Sequence, residues 1–304
     1  MRVLVAGRTG QLATELLHRL PRDGHAVTAL EAPELDVTDR ESILRAMEAA
    51  RPDVVVNAAA YTAVDRAESQ PDLAFAVNAI GAGMLAAASA ARGLPFLQLS
   101  TDYVFAGQGG APYDEDAEPA PLGVYGASKF AGERAALVTN PRTLVLRTAW
   151  LCSPHGGNFV KTMLRLAGER DEIAVVADQQ GAPTLADDLA DAIARLLPRL
   201  AAAPEGDPAF GVFHLTGAPH ATWHGFAAAI LEGAAARGRT VPRLRAITTA
   251  EYPTPAPRPP DARLNCDRIL RVHGIAAADW RHSLPRLLDA LIGPAGNPNA
   301  KDTA

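Results

Sequence analysis

The chain has 304 residues, 48% of them hydrophobic and 21% charged, with a formal net charge of −5. That length can bury one large core, or a large and a smaller one, and the mildly acidic balance excludes a global pull toward nucleic acid or an anionic membrane. Two cysteines far apart, Cys152 and Cys266, argue against a disulfide framework or a cysteine-built metal cluster.

In chain order, short apolar runs alternate with helical patterns. Strands are predicted over 2–6, 26–30, 53–57, 94–100 and 143–149, and helices over 11–20, 39–50, 71–92 and 122–138. Val54-Val55-Val56 is a continuous β-branched run, which marks a strand covered on both faces of a parallel sheet. The alternation predicts an α/β fold, a Rossmann-like doubly wound parallel sheet. Residues 1–150 are assigned to a dinucleotide-binding domain, with some later segments returning to it. Residues 151–304 are assigned mainly to a smaller, loop-rich, substrate-binding lobe. In that lobe helices are expected over 158–167, 184–197 and 222–236, and strands over 172–176 and 211–215. The five prolines of 252–260 exclude regular helix or central strand there. The tail beyond Gly293 is rich in Gly, Pro and Asn and is expected to fray. The longest apolar stretch, 79–91, is shorter than the roughly 20 residues that span a bilayer. No basic segment followed by an apolar run and a cleavage site opens the sequence, so the expected location is the cytoplasm.

The segment Gly7-Arg8-Thr9-Gly10-Gln11-Leu12-Ala13 joins the first strand to the first helix. Gly7 permits a tight turn, Gly10 lets a pyrophosphate approach the backbone, and the helix N-terminus offers free N–H groups. Glu31 ends the second strand, where a carboxylate can bind ribose hydroxyls and repel a 2′-phosphate, favouring NADH. Asp36-Val37 follows, with a carboxylate placed for the adenine amino group. Ala58-Ala59-Ala60 ends the third strand and leaves room for a flat ligand. Tyr125 and Lys129 lie four residues apart on a predicted helix and so share a face. A neighbouring ammonium is expected to bring the phenol toward neutrality, making it a proton donor to a ketone oxygen. Thr101 ends the fourth strand at the same crevice, where a hydroxyl can bind that oxygen. Eight histidines are scattered without His-Glu-x-x-His spacing, so no catalytic transition metal is expected.

These residues carry a likeness. The stretches GRTGQLATEL, RPDVVVNAAAYTAVDRAE, LSTDYVFAG, VYGASKFAGE, VADQQGAPT and AEYPTPAPRPPDARLN resemble the extended short-chain dehydrogenase/reductases, and within them the dTDP-4-dehydrorhamnose reductase group. The resemblance runs from residue 1 to about 270. It implies NAD(P)H-dependent reduction of a nucleotide-linked 4-keto-6-deoxysugar, with either NADPH or NADH. It implies Thr101, Tyr125 and Lys129 as the catalytic set, Gly10, Gln11, Leu12, Ala58, Ala59 and Ala60 on the dinucleotide, and Asp36-Val37 on its adenine side. Thr101, Asp102 and Trp150 are implied on the substrate, and Arg258 and Arg263 are assigned to its diphosphate, since guanidinium binds phosphate bidentately. Some members of the group are described with Mg²⁺ held by acidic residues near a dimer interface. Glu15 matches one such position, Asp187 replaces a second, and the third falls at Ala290, so no metal is expected here.

The expected partner is a small-molecule nucleotide sugar, bound by a monomer or homodimer. Two rivals remain. A nucleotide-sugar 4,6-dehydratase would place Asp-Glu after the threonine, where this chain has Asp102-Tyr103; a 4-epimerase shares the scaffold. A non-catalytic regulatory subunit, resembling the β subunit of a methionine adenosyltransferase, would not need Tyr125, Lys129 and Thr101.

Overall fold

The structure, a computed structural model, describes residues 1–295. The predicted tail therefore lies mostly outside the described residues. Strands β1 (Arg2–Ala6), β2 (Ala26–Leu30), β3 (Val54–Asn57), β4 (Phe96–Thr101) and β5 (Thr143–Thr148) form the main sheet with the strand Gly211–His214. The spatial order is Gly211–His214, β5, β4, β3, β1, β2, and every pairing is parallel. Val54, Val55 and Val56 are fully buried between helical layers, as a parallel sheet covered on both faces requires.

From β1 the chain passes to β2 on one side and then to β3 on the other. The crevice at that reversal opens at the carboxyl ends of β1 and β3, the place where open α/β sheets bind ligands. Helix α1 (Gln11–Arg19) starts there and packs its Leu12 and Leu16 into the core with Leu189, Ile193 and Leu197 of helix Ala186–Ala202. Both that helix and Gly211–His214 come from beyond residue 150, so the chain leaves the sheet and returns to it. A separate apolar cluster joins helices Phe159–Glu169, Trp223–Ala235 and Trp280–Ile292 to a parallel pair, Glu172–Val176 and Arg243–Ile247.

Two differences from the sequence reading have physical causes. The helix expected over 71–92 is Pro71–Phe75, a π-turn at Ala76–Gly81, and Ala82–Ala90. The extra residue in the π-turn accompanies buried Asn78, whose amide bonds Tyr61 O and Ser128 Oγ at 3.1 and 3.0 Å. Pro71–Ala90 is also long and apolar enough to cross a membrane by composition, but half of it is buried in this protein. Strand Arg243–Ile247 and helices Asp267–His273 and Trp280–Ile292 lie where no element was predicted. On that strand the alternation begun by Arg243, Leu244 and Arg245 breaks at exposed Ala246 and buried Ile247.

Candidate active site

The glycine turn is built by backbone geometry. Gly7 sits at φ +105°, and a Cβ there would stand 3.3 Å from the Ala58 carbonyl carbon. Only glycine combines that dihedral with so close an approach of two strand ends. A Cβ on Gly10 would meet nothing within 4 Å, so the backbone is open on that side. Ala58, Ala59 and Ala60 are half-buried along the same crevice. Leu12 is buried in the core, which leaves its backbone N–H rather than its side chain for a ligand. Gln11 does not point freely into the crevice: Nε2 donates to Leu151 O at 3.2 Å, and Oε1 accepts from Ser153 Oγ and Asn158 Nδ2.

The two acids on the adenine side are already engaged. Glu31 accepts from the Arg8 and Thr9 backbone N–H groups at 3.2 and 3.0 Å and from the Thr9 hydroxyl at 2.9 Å. The Thr9 amide above all holds this carboxyl below its usual range. Glu31 thus shapes the glycine turn, and Arg8 beside it pairs with Glu31 at 3.9 Å and with Glu34 at 3.4 Å. Asp36 accepts from Thr38 N and Oγ1 at 2.8 and 2.7 Å, closing a local turn, and Val37 packs under Gly81.

Thr101 ends β4, and Tyr125 and Lys129 lie on helix Val124–Thr139. A Cβ at Gly126 would fall 2.1 Å from Tyr103 O, so glycine there is what lets this helix close on the end of β4. The Thr101 hydroxyl, which donates to Asp102 Oδ1 at 3.0 Å, lies beside the Tyr125 hydroxyl and favours its ionised form. Lys129 is buried, and its ammonium donates to Leu99 O at 2.6 Å. The sequence reading expected Lys129 to bring the phenol toward neutrality. Instead, burial pushes Tyr125 up to about 12, with Asp102 adding to the rise and Thr101 opposing it. Lys129 directs its ammonium at a strand carbonyl, Leu99 O, and does not outweigh that burial. Burial brings Lys129 itself down to about 8, against the pull of Glu133.

Asp102 is buried, bonded to Thr101 Oγ1 at 3.0 Å, and its Oδ2 has no hydrogen-bond partner. Burial raises its carboxyl to about 7. Tyr103 stands edge-on to Tyr125, ring centroids 5.6 Å apart, and carries the Arg258 guanidinium 6.0 Å from its own centroid.

The remaining predicted residues are placed as follows. Trp150, at φ +44°, stacks on Trp223 at 3.5 Å between centroids and covers Gly181, where a Cβ would meet the indole at 2.5 Å. Arg258 is held by both oxygens of Asp65 at 2.9 Å, and Arg263 by Asp261 at 2.7 and 2.6 Å. The acidic set that the resemblance associates with Mg²⁺ is not assembled for that ion: Asp187 is held by Arg286 at 2.9 Å, and Ala290 has no ligand atom.

Sequence reasoning missed what lies beneath. Glu133 and Arg147 form a buried bidentate pair, at 2.9 and 2.6 Å. Ser100 Oγ donates to the same carboxylate, and Arg147 reaches His214 Nε2 at 3.3 Å. Burial and Arg147 hold His214 down at about 3, so it is neutral and can accept from the guanidinium. The available signal was helical spacing: Glu133 follows Tyr125 and Lys129 on one face.

Activity and stability are expected to part company at high pH. Above about pH 8 Lys129 loses its charge, and turnover should fall. Between there and its ordinary value of 10.5 the unfolded chain binds more protons than the folded one, so stability from this site rises. Asp102 has the opposite sign, removing stability as pH rises from its ordinary 3.8 toward about 7. A pH–rate profile and melting temperatures in matched buffers check both.

A parallel sheet with a glycine turn at its reversal point and a Thr–Tyr–Lys set at the next strand end defines a Rossmann-type, nicotinamide-dependent oxidoreductase. The comparisons narrow the class. The RmlD substrate binding domain family matches residues 1–292. The chain is 44% identical to a dTDP-4-dehydrorhamnose reductase of Sinorhizobium fredii over 96% of this chain and 98% of that protein. It is 45% identical to one of Streptomyces griseus, over 98% and 96%. A solved dTDP-4-dehydrorhamnose reductase from Bacillus anthracis, in complex with NADP, superposes with a TM-score of 0.87 at 35% identity, covering 94% of this chain and 98% of that one. The chain belongs to the RmlD family of dTDP-4-dehydrorhamnose reductases.

Proposed function

We propose that this protein reduces the C4 keto group of dTDP-4-dehydro-6-deoxy-L-mannose, giving dTDP-L-rhamnose at the expense of NADPH or NADH. The reading is carried by the meeting of Thr101, Tyr125 and Lys129 at the end of β4, in a chain that shares nearly its whole length with reductases of that substrate. Gly7, Gly10, the Gln11–Leu12 backbone and Ala58–Ala60 fit a dinucleotide: the turn is open at Gly10 and lined by small residues.

The dinucleotide, when bound, supplies the hydride that reduces C4. Thr101 and Tyr125 hold the ketone oxygen. A phenol pushed up to about 12 keeps its proton until that oxygen becomes an alkoxide, which is basic enough to take it. Lys129 then stabilises the phenolate that remains. The unpartnered Asp102 Oδ2 is set to accept from a sugar hydroxyl, and the Trp150–Trp223 stack forms a wall for the sugar. Both arginines assigned to the diphosphate are held by carboxylates, Arg258 by Asp65 and Arg263 by Asp261, and each would have to exchange that partner for the phosphate; Arg258 borders Tyr103. We place the protein in the cytoplasm, as a monomer or homodimer.

The test is stoichiometric loss of NADPH or NADH absorbance with the purified keto-sugar nucleotide. Product without net cofactor oxidation would favour an epimerase. A stoichiometric protein partner with no turnover would favour a regulatory subunit.

Cofactor choice has its own expectation. With Glu31 bound to the turn, Arg8, half exposed and loosely paired with Glu31 and Glu34, is the cation for which a 2′-phosphate would compete. Arg8→Ala should raise KM for NADPH about 10-fold, on the order of one charge-assisted contact, and leave KM for NADH within about twofold.

A further inference from the structure

Linear spacing gave no metal motif, yet the fold brings three ligand-bearing side chains together away from the Thr101–Tyr125–Lys129 crevice. Glu15 and His18 stand three residues apart on α1 and share a face. A Glu-x-x-His step on a helix is an arrangement that metal-binding bundles use. His155 comes to them from the loop between strand Leu151–Cys152 and helix Phe159–Glu169. Its Nε2 is 3.3 Å from Glu15 Oε1, and its ring centroid is 5.7 Å from that of His18. One ligand atom from each of the three lies within 4.8 Å of the other two.

We propose that Glu15, His18 and His155 bind one divalent transition metal of the zinc type, which clasps the 153–158 loop to α1. Imidazole nitrogens favour borderline ions over Mg²⁺, and two histidines with one carboxylate leave a fourth position for water. Donors around a tetrahedral ion at about 2.0–2.1 Å stand roughly 3.3 Å apart, a separation that the Glu15–His155 pair already has. His18 is exposed and can swing in.

The loop is preset for this. Ser153 Oγ bonds both the N–H and the carbonyl of His155 at 3.0 Å, and Asn158 Nδ2 bonds Ser153 O at 2.7 Å. Gln11, one helical turn before Glu15, ties both Ser153 and Asn158 to the same helix. Arg19, the nearest cation on α1, is neutralised by Asp23 at 2.7 Å and by Asp191. The clasp would join the sheet that carries the glycine turn to the loop leading away from Trp150.

The probe is Co²⁺ added to tag-free protein, since a four-coordinate site with nitrogen ligands gives it intense visible absorption. The expected result is one Co²⁺ per chain, displaced by Zn²⁺ and not by a large excess of Mg²⁺. His18→Ala and His155→Ala should each weaken binding by more than about 100-fold, beyond the loss of a typical outer partner. Metal-free melting temperatures should not move, because both rings lie near the surface. Zn²⁺ should also slow amide exchange across 153–158 in the wild type and not in the double variant. A wild type without the four-coordinate spectrum, or a double histidine variant that binds as tightly as the wild type, overturns the site. Unchanged exchange in the loop overturns the clasp.

Discussion

Tyr125→Phe should reduce kcat about 10²–10⁴-fold, the usual size of a general-acid contribution, with KM for the sugar nucleotide changed far less. The ring stays against Tyr103, so the aromatic contact survives. Only the hydroxyl beside Thr101 is lost. Because burial holds the phenol protonated up to about 12, wild-type turnover should show no break from Tyr125 in the neutral range. The limb near pH 8 should belong to Lys129. Single-turnover rates of Tyr125→Phe across pH 6–10 measure this. A variant reducing the keto-sugar at near wild-type rate would remove Tyr125 from the mechanism.

The second large effect is on stability. Glu133→Gln or Arg147→Met should each cost about 3–5 kcal/mol, because each leaves one buried charge without its partner. Arg147 and Glu133 side chains are 3% and 1% exposed, so water cannot compensate. The double replacement Glu133→Leu with Arg147→Met should cost much less than the sum, since no orphaned charge remains. Its activity should still drop. Ser100, which bonds Glu133, immediately precedes Thr101, and Glu133 sits one turn beyond Lys129. Urea unfolding of the four proteins, with kcat measured in parallel, separates the folding role from the positioning role.

What the sequence made legible follows from periodicity. The first five sheet strands were readable to within two residues at each end, because buried parallel strands are unbroken apolar runs and glycine turns punctuate them. Tyr125 and Lys129 were readable because helical spacing is fixed. Their electrostatics were not: the Tyr125 shift follows from burial that only the folded packing shows, and Lys129 is bonded to Leu99 O, a contact between segments 30 residues apart. Glu31 looked free for the same reason, since only the folded turn shows Thr9 and Arg8 claiming it. The Glu133–Arg147 pair and the Trp150–Trp223 stack join distant segments, and no local pattern announces them. Strand Arg243–Ile247 escaped notice because a short exposed strand with two arginines reads as loop.

The return of the chain to the sheet after residue 150 has an evolutionary consequence. Gly211–His214 completes the sheet edge beside β5, and Ala186–Ala202 covers the face of α1. A protein cut after residue 150 would expose that face and lose that edge. The part beyond residue 150 therefore cannot be exchanged by simple end-to-end recombination with another chain, because the segments that return to the sheet have to stay in place.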